Sequence, residues 1–371
     1  MKILSIGGTR PQFVKMAVLV KAFDDYNAAT GFRIDHRLLH TGQHYDPQMS
    51  QVFFDELEMP IPYATLTMHP GSPGMQTASM LASIEASLKM WSPDAVVIYG
   101  DTNSTLASAL ATAKLHIPLV HIEAGLRSYN RMMQEEINRI VSDHVSDLLL
   151  CPTPNTVKQL EREGLGDRAV FVGDVMLDAA AKYAMSDRYS YHLKELGLEN
   201  SEYILATLHR AETTDDIGKL NSVVHALENL PLPVVLPLHP RVKHRLGTEG
   251  LRMLKSHSHL HVVDSVGYFE MLILEQAASL ILTDSGGIQK EAYFLGTPCV
   301  TMRDETEWPE TIHGGWNTLV GTDCSSILTG VNNVLRNLRY IAREPRDLAT
   351  FGAGTAGPCC VEHICNFVGA S

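Results

Sequence analysis

The chain has 371 residues, of which 45% are hydrophobic and 19% charged, and it carries a formal net charge of −12. This length favours two domains over a single core, the composition is that of a globular protein, and the negative charge argues against a nucleic-acid partner bound through its phosphates. The chain has no signal-peptide pattern, no apolar run of the ~18 residues that a membrane span needs, and no CxxC pair among its six cysteines. We therefore expect a cytoplasmic protein with free thiols and no membrane association.

Short apolar strands alternate with amphipathic helices along the first part of the chain. The predicted elements in chain order are a strand at 2–7, a helix at 13–23, a strand at 33–39, a helix at 80–89, a strand at 95–99, a helix at 106–113 and a strand at 118–122. Such alternation is typical of a parallel sheet covered by helices on both faces.

The alternation begins again after the polar, glycine-containing segment EGLGDR, at 163–168. Further strands are predicted at 169–172, 203–207, 234–238, 260–263, 280–283 and 299–302. The predicted fold class is therefore α/β, with two Rossmann-like domains at 1–168 and 169–350 that face each other across a cleft. A tail at 351–371 ends in a helix that suits packing on either half.

The first strand ends in the segment GGTRPQFVK, which combines a glycine break with positive charge. Arg10 suits bidentate contact with a phosphate, Lys15 provides a point charge, and Pro11 fits the first turn of a helix. The spacing is not that of a P-loop. A solvated basic pair is the alternative interpretation.

Acidic residues follow two further strands and open one helix of the first half. Asp101 lies in YGDTNS, Glu123 in HIEAGLRS, and Glu135 with Glu136 in QEEINR. Helix capping stays open for Asp101, whereas Glu123, between the apolar pair HI and the break AGLR, favours acid–base work. Arg127 and Arg139 are the expected counter-charges of these carboxylates.

The second half repeats the pattern of reactive side chains at strand ends. His209 and Arg210 lie in TLHRAE, His239 begins HPR, and Arg303 begins the segment RDETEWPE. A histidine in such a place can titrate, contact a phosphate or assist a leaving group. The acids of the last segment favour a structured loop.

The segment TDSGGIQKEA passes from a strand through two glycines into a helix. Gly286 and Gly287 allow an anion to approach the backbone, Ser285 adds a hydroxyl, and Glu291 lies where a carboxylate reaches a sugar hydroxyl. The pattern indicates a site for the diphosphate of a nucleotide sugar; a purely structural turn is the alternative. No HExxH, EF-hand or Cys/His spacing is present, so we expect neither a metal nor another cofactor.

Eight segments together resemble the non-hydrolysing UDP-N-acetylglucosamine 2-epimerase family. They are GTRPQFVK, TGQHYD, YGDTNST, HIEAGLRS, EEINR, TLHRAE, TDSGGIQKEA and RDETEWPE, in order from residue 1 to about residue 320. The resemblance implies a glycosyltransferase-B-like homodimer that needs neither NAD nor metal. It also implies anti elimination of UDP through a 2-acetamidoglucal, followed by re-addition of UDP.

On this family pattern, three acids, a histidine and two cations match catalytic or near-catalytic positions, and five residues match the UDP-binding set. The first group is Asp101, Glu123, Glu135, His209, Arg10 and Lys15; the second is Ser285, Gly286, Gly287, Glu291 and Arg303. Arg210 and His239 are further substrate-binding candidates. Which acid serves as the base stays open.

Four departures from the family pattern bear on the substrate. The usual GTRPE reads GTRPQ, the usual TTERPE reads ETEWPE with Trp308 in place of the arginine, Gln134 replaces a proline, and Lys290 stands where many members carry an acid. Together with the segment HPGSPG at 69–74, they resemble the branch acting on UDP-2,3-diacetamido-2,3-dideoxy-glucuronate. Its extra carboxylate needs another cation, for which Arg210, Arg241 and Lys290 are candidates. The alternative functions are those of a hydrolysing relative, a retaining glycosyltransferase and a UDP-sugar-binding module.

Overall fold

The computed structural model describes residues 1–43, 54–67, 71–183, 194, 197–198 and 202–370. They form two compact units, one of residues 1–179 with 348–371 and the other of residues 180–347. Each unit contains a parallel sheet, which confirms the predicted α/β class. That the two halves face each other across a cleft stays a prediction.

The first unit follows the predicted alternation and adds elements to it. Its strands are β1 (Lys2–Gly7), β2 (Asp35–His40), β3 (Ala64–Thr65), β4 (Ala95–Tyr99), β5 (Leu119–Ile122), β6 (Leu148–Cys151) and β7 (Ala169–Phe171). Its helices are α1 (Arg10–Thr30), α2 (Pro73–Trp91), α3 (Asn103–Lys114), α4 (Gln134–Val145), α5 (Pro154–Arg162) and α6 (Val175–Tyr183), the last running into the second unit, together with 3₁₀ turns at Gly166–Arg168 and Leu348–Phe351.

The first unit extends beyond the boundary predicted after residue 168 and also contains β7 and the first part of α6. The described strands of the first sheet lie in the order β3-β2-β1-β4-β5-β6-β7, and β7 pairs in parallel with β6, Leu150 opposite Val170. The polar segment that suggested a boundary instead begins at the C-cap of α5, Glu163, and ends in the 3₁₀ turn that leads into β7. Polarity marked a surface connection within a unit rather than a linker between units.

The C-terminal tail packs on the first unit. Its helix α13 (Ala356–Ala370) lies against α1, where a Cβ at Gly357 would stand 2.8 Å from Val18 Cγ1. The carboxylate of Asp178 accepts the N–H groups of Ala356 at 3.1 Å and Gly357 at 2.8 Å, and so caps the start of α13. The packing that the sequence left open is thereby assigned.

The second unit contains a six-stranded sheet in the order β10-β9-β8-β11-β12-β13 among its described residues. Its strands are β8 (Ile204–Thr207), β9 (Val234–Pro237), β10 (Leu260–Val263), β11 (Leu280–Thr283), β12 (Cys299–Thr301) and β13 (Asn317–Leu319). Its helices are α7 (Ala211–Thr214), α8 (Ile217–Glu228), α9 (Pro240–Ser256), α10 (Tyr268–Ala277), α11 (Gly286–Leu295) and α12 (Cys324–Ile341), with a 3₁₀ segment at Pro309–Gly315.

The central strands are buried on both faces. Every residue of β4 has no exposed surface, and Ile84 and Leu88 of α2 pack against Val96 and Ile98 of that strand. Burying a side chain of this size contributes about 1.5–3 kcal/mol. This core fixes the strand ends from which the candidate site residues project.

Candidate functional site

The candidate residues of the first unit gather where its strand order reverses. The sheet runs outward from β1 in one direction and from β4 in the other. Open α/β sheets bind ligands in the crevice at such a switch point, outside the carboxyl ends of the strands. The segments that follow β1, β4 and β5 carry Arg10, Asp101 and Glu123, respectively.

The loop after β1 is held by a buried amide. Gln12 Oε1 accepts from the N–H groups of Gly8 at 2.9 Å and Thr9 at 3.2 Å, while Gln12 Nε2 donates to Tyr99 O at 2.9 Å and Thr105 Oγ1 at 3.0 Å. An ionised glutamate, the usual family residue, cannot make those two donations. The departure at Gln12 therefore joins this loop to the end of β4. Arg10 is the first residue of α1 and is partly exposed.

Lys15 and Glu123 form a buried ion pair beside the end of β4. Their side chains are 8% and 9% exposed, and Lys15 Nζ contacts Glu123 Oε2. A Cβ at Gly100 would stand 3.0 Å from Glu123 Oε2 and 3.2 Å from Lys15 Nζ, and Gly100 has φ of +61°. Glycine at this position thus allows the pair to lie directly against the backbone that leads to Asp101.

Glu123 itself has a left-handed backbone conformation, with φ of +71°. Such a conformation is unfavourable for a residue with a side chain and persists where the surrounding structure imposes it. Here Leu150 O accepts the N–H groups of both Glu123 and Ala124 at 3.1 Å. The strain marks Glu123 as a functional candidate on grounds independent of sequence pattern.

A largely buried network supports the turn that follows Glu123. Asp143 accepts from His121 Nδ1 at 2.7 Å, Arg127 Nη1 at 2.7 Å and Gly125 N at 3.2 Å, and Arg127 Nη2 donates to Glu163 at 2.6 Å. Burial favours the protonated form of Asp143, but hydrogen bonds and charge from His121 and Arg127 outweigh it and lower the pKa of this carboxyl. The predicted pairing of Arg127 with the candidate acids is therefore wrong.

His121 links this network to the end of β4. Its Nε2 lies 2.8 Å from Gly100 O, while its Nδ1 faces Asp143. The ring therefore connects the buried carboxylate of Asp143 to the backbone at the end of β4.

Asp101 is held by Arg139, as the sequence predicted for that arginine. Arg139 Nη2 donates to Asp101 Oδ2 at 2.5 Å, and Arg139 Nη1 donates to Glu136 Oε2 at 3.0 Å. The Asp101 side chain keeps 31% of its surface exposed. Glu135 is partly exposed in the first turn of α4. One arginine therefore orients Asp101 and fixes the turn that presents Glu135.

Glu136 has a different role from its neighbour. Its carboxylate accepts the N–H groups of Ser128 and Tyr129, both at 2.8 Å, and it is 1% exposed. It therefore anchors the 128–129 turn. The residue pattern alone treated these two glutamates together, and the family resemblance singled out Glu135; the helical phase of α4 turns Glu136 inward and leaves Glu135 partly exposed.

In the second unit, Asp284 joins the loops at the switch point between β8 and β11. This fully buried carboxylate accepts from His209 N at 3.1 Å and Arg210 N at 2.9 Å, and it lies 3.3 Å from His209 Nδ1. Burial raises its pKa, but His209 and the backbone N–H groups outweigh that effect, and the pKa is lowered overall. Asp284 lies within the segment TDSGGIQKEA, but the sequence did not predict this role for it.

Ser285 is the N-cap of α11. Its hydroxyl accepts from Ile288 N at 3.4 Å, and its own N–H donates to Thr283 Oγ1 at 2.9 Å. A Cβ at Gly287 would meet only Ser285 Oγ, at 3.9 Å, so the described protein leaves space there. The helix start therefore offers backbone N–H groups beside open volume, as anion binding requires.

Glu307 contacts two arginines beside the start of α11. Arg303 donates to both carboxylate oxygens of Glu307, at 2.8 and 2.9 Å, and Arg210 Nη2 lies 3.9 Å from Glu307 Oε1. A Cβ at Gly286 would stand 3.4 Å from Arg210 Nη2. The predicted structured loop thus contains a buried acid that orders Arg303.

Histidine rings mark the ends of β8 and β9. The centroids of His209 and His239 are 5.5 Å apart, and His239 Nδ1 accepts from Arg241 N at 3.2 Å as the N-cap of α9. Arg241 lies near Asp215, 3.5 Å away, with 42% of its side chain exposed. Of the candidate cations for an extra carboxylate, Arg210 lies against the glycine loop and Arg241 lies at the surface.

Glu291 lies within α11 and is 6% exposed. On α10 the carboxylate oxygens of Glu275 have no hydrogen-bond partner among the described residues; burial and then the charge of Glu291 raise the pKa of Glu275 well above its usual value. Residues 44–46 of TGQHYD and 69–70 of HPGSPG lie outside the described residues.

The described part of the chain contains neither a metal-binding cluster nor a membrane-spanning helix. There, no group of three or more His, Cys, Asp or Glu side chains is arranged to hold a metal ion. No helix within those same ranges is long and apolar enough to cross a membrane.

Residues 27–365 match the family model of UDP-N-acetylglucosamine 2-epimerase. The chain is 48% identical over 328 residues to UDP-2,3-diacetamido-2,3-dideoxy-D-glucuronate 2-epimerase of Pseudomonas aeruginosa, covering 86% of this chain and 88% of that one. It also resembles the Methanocaldococcus jannaschii UDP-GlcNAc 2-epimerase crystallised with UDP-GlcNAc and UDP (TM-score 0.90, 37% identity, 99% and 100% coverage). The Neisseria meningitidis UDP-GlcNAc 2-epimerase bound to UDP-GlcNAc gives a TM-score of 0.88 at 29% identity, with 99% and 100% coverage.

These matches extend over nearly the whole chain and include both parallel sheets. They confirm the glycosyltransferase-B-like fold class and the family resemblance predicted from eight short segments. The chain belongs to the UDP-N-acetylglucosamine 2-epimerase family.

Proposed function

We propose that this protein is a non-hydrolysing UDP-sugar 2-epimerase that supplies precursors of surface polysaccharides. It interconverts UDP-N-acetylglucosamine and UDP-N-acetylmannosamine, or the corresponding 2,3-diacetamido-glucuronates. The observation that carries the proposal is the strained Glu123, paired with Lys15 and lying against Gly100 next to Asp101. Two carboxylates at one switch point suit proton transfer, and family membership supports the reaction class.

The proposed chemistry needs no co-reactant. A carboxylate takes the proton from carbon 2 while the bond from carbon 1 to the diphosphate oxygen breaks, and its electron pair leaves with UDP. The resulting 2-acetamidoglucal accepts a proton at carbon 2 on the opposite face, and the diphosphate oxygen adds back to carbon 1. We assign the proton transfers to Asp101, Glu123 and Glu135, and assistance to the departing diphosphate to His209.

The second unit supplies most of the proposed UDP contacts. The N-terminus of α11 and the cations beside it favour a diphosphate, and the space at Gly287 permits close approach. The proposed binding residues are Arg10, Lys15, Arg210, His239, Ser285, Gly286, Gly287, Glu291 and Arg303.

The diacetamido-glucuronate is the second candidate substrate. It is favoured by the 48% identity to the Pseudomonas aeruginosa enzyme and by the departures at Gln12, Lys290 and Trp308. Measuring kcat/KM of the wild type for both UDP-sugars decides between them. The variant Arg210→Lys tests the role of Arg210: its kcat/KM should fall more for the diacetamido-glucuronate than for UDP-N-acetylglucosamine.

Incubation in heavy water tests the elimination mechanism directly. Deuterium should enter carbon 2 of the recovered UDP-sugar, and its absence would refute carbon-2 proton transfer. Free UDP that accumulates in step with free sugar would instead identify a hydrolysing enzyme. Binding of UDP-sugar without isotope exchange or turnover would identify a binding module.

Isosteric variants test the two acids. Asp101→Asn and Glu123→Gln should abolish turnover while UDP still binds, because each keeps its shape and loses its basicity. The exposed Asp167→Asn and Glu161→Gln serve as matched controls. Near-normal turnover in both test variants would contradict the assignment.

We also propose that the protein acts as a homodimer in the cytoplasm. The described cysteines form no disulfide, which suits a reducing compartment. Light scattering coupled to size exclusion tests the assembly: a mass near 40.9 kDa at working concentration would refute the dimer.

A further inference from the structure

Two of the residues that depart from the family pattern touch each other. Lys290 stands where many members carry an acid, and Trp308 replaces the arginine of the usual TTERPE segment. Lys290 Nζ lies 3.9 Å from the centroid of the Trp308 ring, and the two residues are 1% and 4% exposed. A cation so close to an indole face, in a desolvated site, is held by the ring quadrupole.

The contact suggests that the two replacements compensate each other. An acid at 290 and an arginine at 308 carry opposite charges and would attract, as the ammonium and the indole do here. The mixed combinations are unfavourable. An acid facing Trp308 would meet the negative ring face without compensation, and an arginine facing Lys290 would bury two like charges.

The pair lies where the 303–308 loop meets α11. Thr306 Oγ1 donates to Gln289 Oε1 at 2.6 Å and accepts from Trp308 N at 3.1 Å. Lys290 follows Gln289 directly, so neighbouring residues of α11 hold the loop by a hydrogen bond and by the cation–π contact.

The 303–308 loop lies beside the glycine turn at the start of α11. A Cβ at Gly286 would stand 3.5 Å from Glu307 Oε2 and 3.8 Å from Trp308 Nε1, and Glu307 in turn holds Arg303. Moving the loop relative to α11 therefore displaces the indole N–H and the Glu307–Arg303 pair from the anion-binding turn.

We infer that Lys290 and Trp308 form one coupled pair that positions the 303–308 loop against α11 for binding a nucleoside diphosphate. This inference deepens the proposed function and rests on the UDP site assigned there. Both act as positioning residues, since neither needs to touch the diphosphate.

The test is a double-mutant cycle read by UDP affinity and thermal unfolding. Lys290→Glu and Trp308→Arg should each weaken UDP binding by about tenfold or more, and the double variant should recover to within about threefold of the wild type. The exposed Lys255→Glu makes the same charge change on α9 and should leave UDP affinity unaltered. A double variant as weak as the product of the two single losses would overturn the inference.

Milder variants keep the test decisive if a charge reversal prevents folding. Lys290→Arg and Trp308→Phe keep a cation and a π face and should retain UDP binding to within about threefold, whereas Lys290→Met should lose about tenfold. Equal binding by Lys290→Met and Lys290→Arg would also overturn the inference. Because UDP binding needs no turnover, a wild type that binds UDP without epimerising any UDP-sugar would refute the proposed function alone.

Discussion

Replacing Asp284 with asparagine separates positioning from chemistry in the second unit. The buried carboxylate accepts from two backbone N–H groups and faces His209 Nδ1. Asparagine keeps one acceptor oxygen but directs an NH₂ group at donors. Losing one charge-assisted hydrogen bond costs about 1.5–3 kcal/mol, and leaving a buried donor unsatisfied adds about 1–3 kcal/mol. We therefore expect the free energy of unfolding to fall by about 2.5–6 kcal/mol.

The same change should lower turnover through His209. The carboxylate holds the Nδ1 side of the imidazole, so Nε2 is left to face a ligand. Asp284→Asn should reduce kcat by about hundredfold if His209 assists departure of the diphosphate, since positioned acid–base groups contribute about 10²–10⁴-fold. Urea unfolding and steady-state kinetics measure the two effects, with the exposed strand-end Asp264→Asn as control. Wild-type stability together with wild-type kcat would refute the reasoning.

Three further substitutions test how buried contacts of the described residues affect stability. Gly8→Ala should destabilise the fold by several kcal/mol, because its Cβ would lie 1.8 Å from Thr41 Oγ1; calorimetry that finds an unchanged Tm would contradict this. Asp143→Asn should lower stability near neutral pH, and the difference should shrink as the pH falls through the lowered native pKa, where the wild-type carboxylate itself becomes protonated. Glu275→Gln should gain stability relative to the wild type as the pH rises above 4.5, by up to about 1.4 kcal/mol per pH unit until the raised native pKa of Glu275 is reached. The reason is that Glu275 of the native wild type binds a proton that the unfolded chain releases. A pH-independent difference in the free energy of unfolding would refute this prediction.

Strand periodicity and strand-end motifs were sufficient to predict the central part of both sheets. The strands at Lys2–Gly7, Ala95–Tyr99, Leu260–Val263 and Leu280–Thr283 have the predicted bounds, because each is a short apolar run ended by a turn or a glycine. The strands β3, β6 and β13 were not predicted. They are two to four residues long, which is too short for a period to emerge.

The site was less predictable than the fold, because sequence gives the reactive residues but not their supports. Asp143 lies on α4 and serves the loop after β5, and Glu307 serves Arg303 and Arg210 from a loop that looked merely structural. Such partners become visible only when the fold brings distant segments together. Arg127 illustrates the limit: its charge suited Glu123, but packing places it on Asp143.

The two units use the same physical device beside their candidate sites. In each, a fully buried aspartate holds strand-end loops through several donors, Asp143 in the first and Asp284 in the second, and in each those donors lower its pKa. Because every such donor loses a buried partner when the carboxylate is removed, variants at these positions should lose stability and turnover together. Asp101 keeps part of its surface exposed and should lose turnover alone. A joint measurement of unfolding free energy and kcat across these three positions therefore distinguishes residues that hold the site from those that react in it.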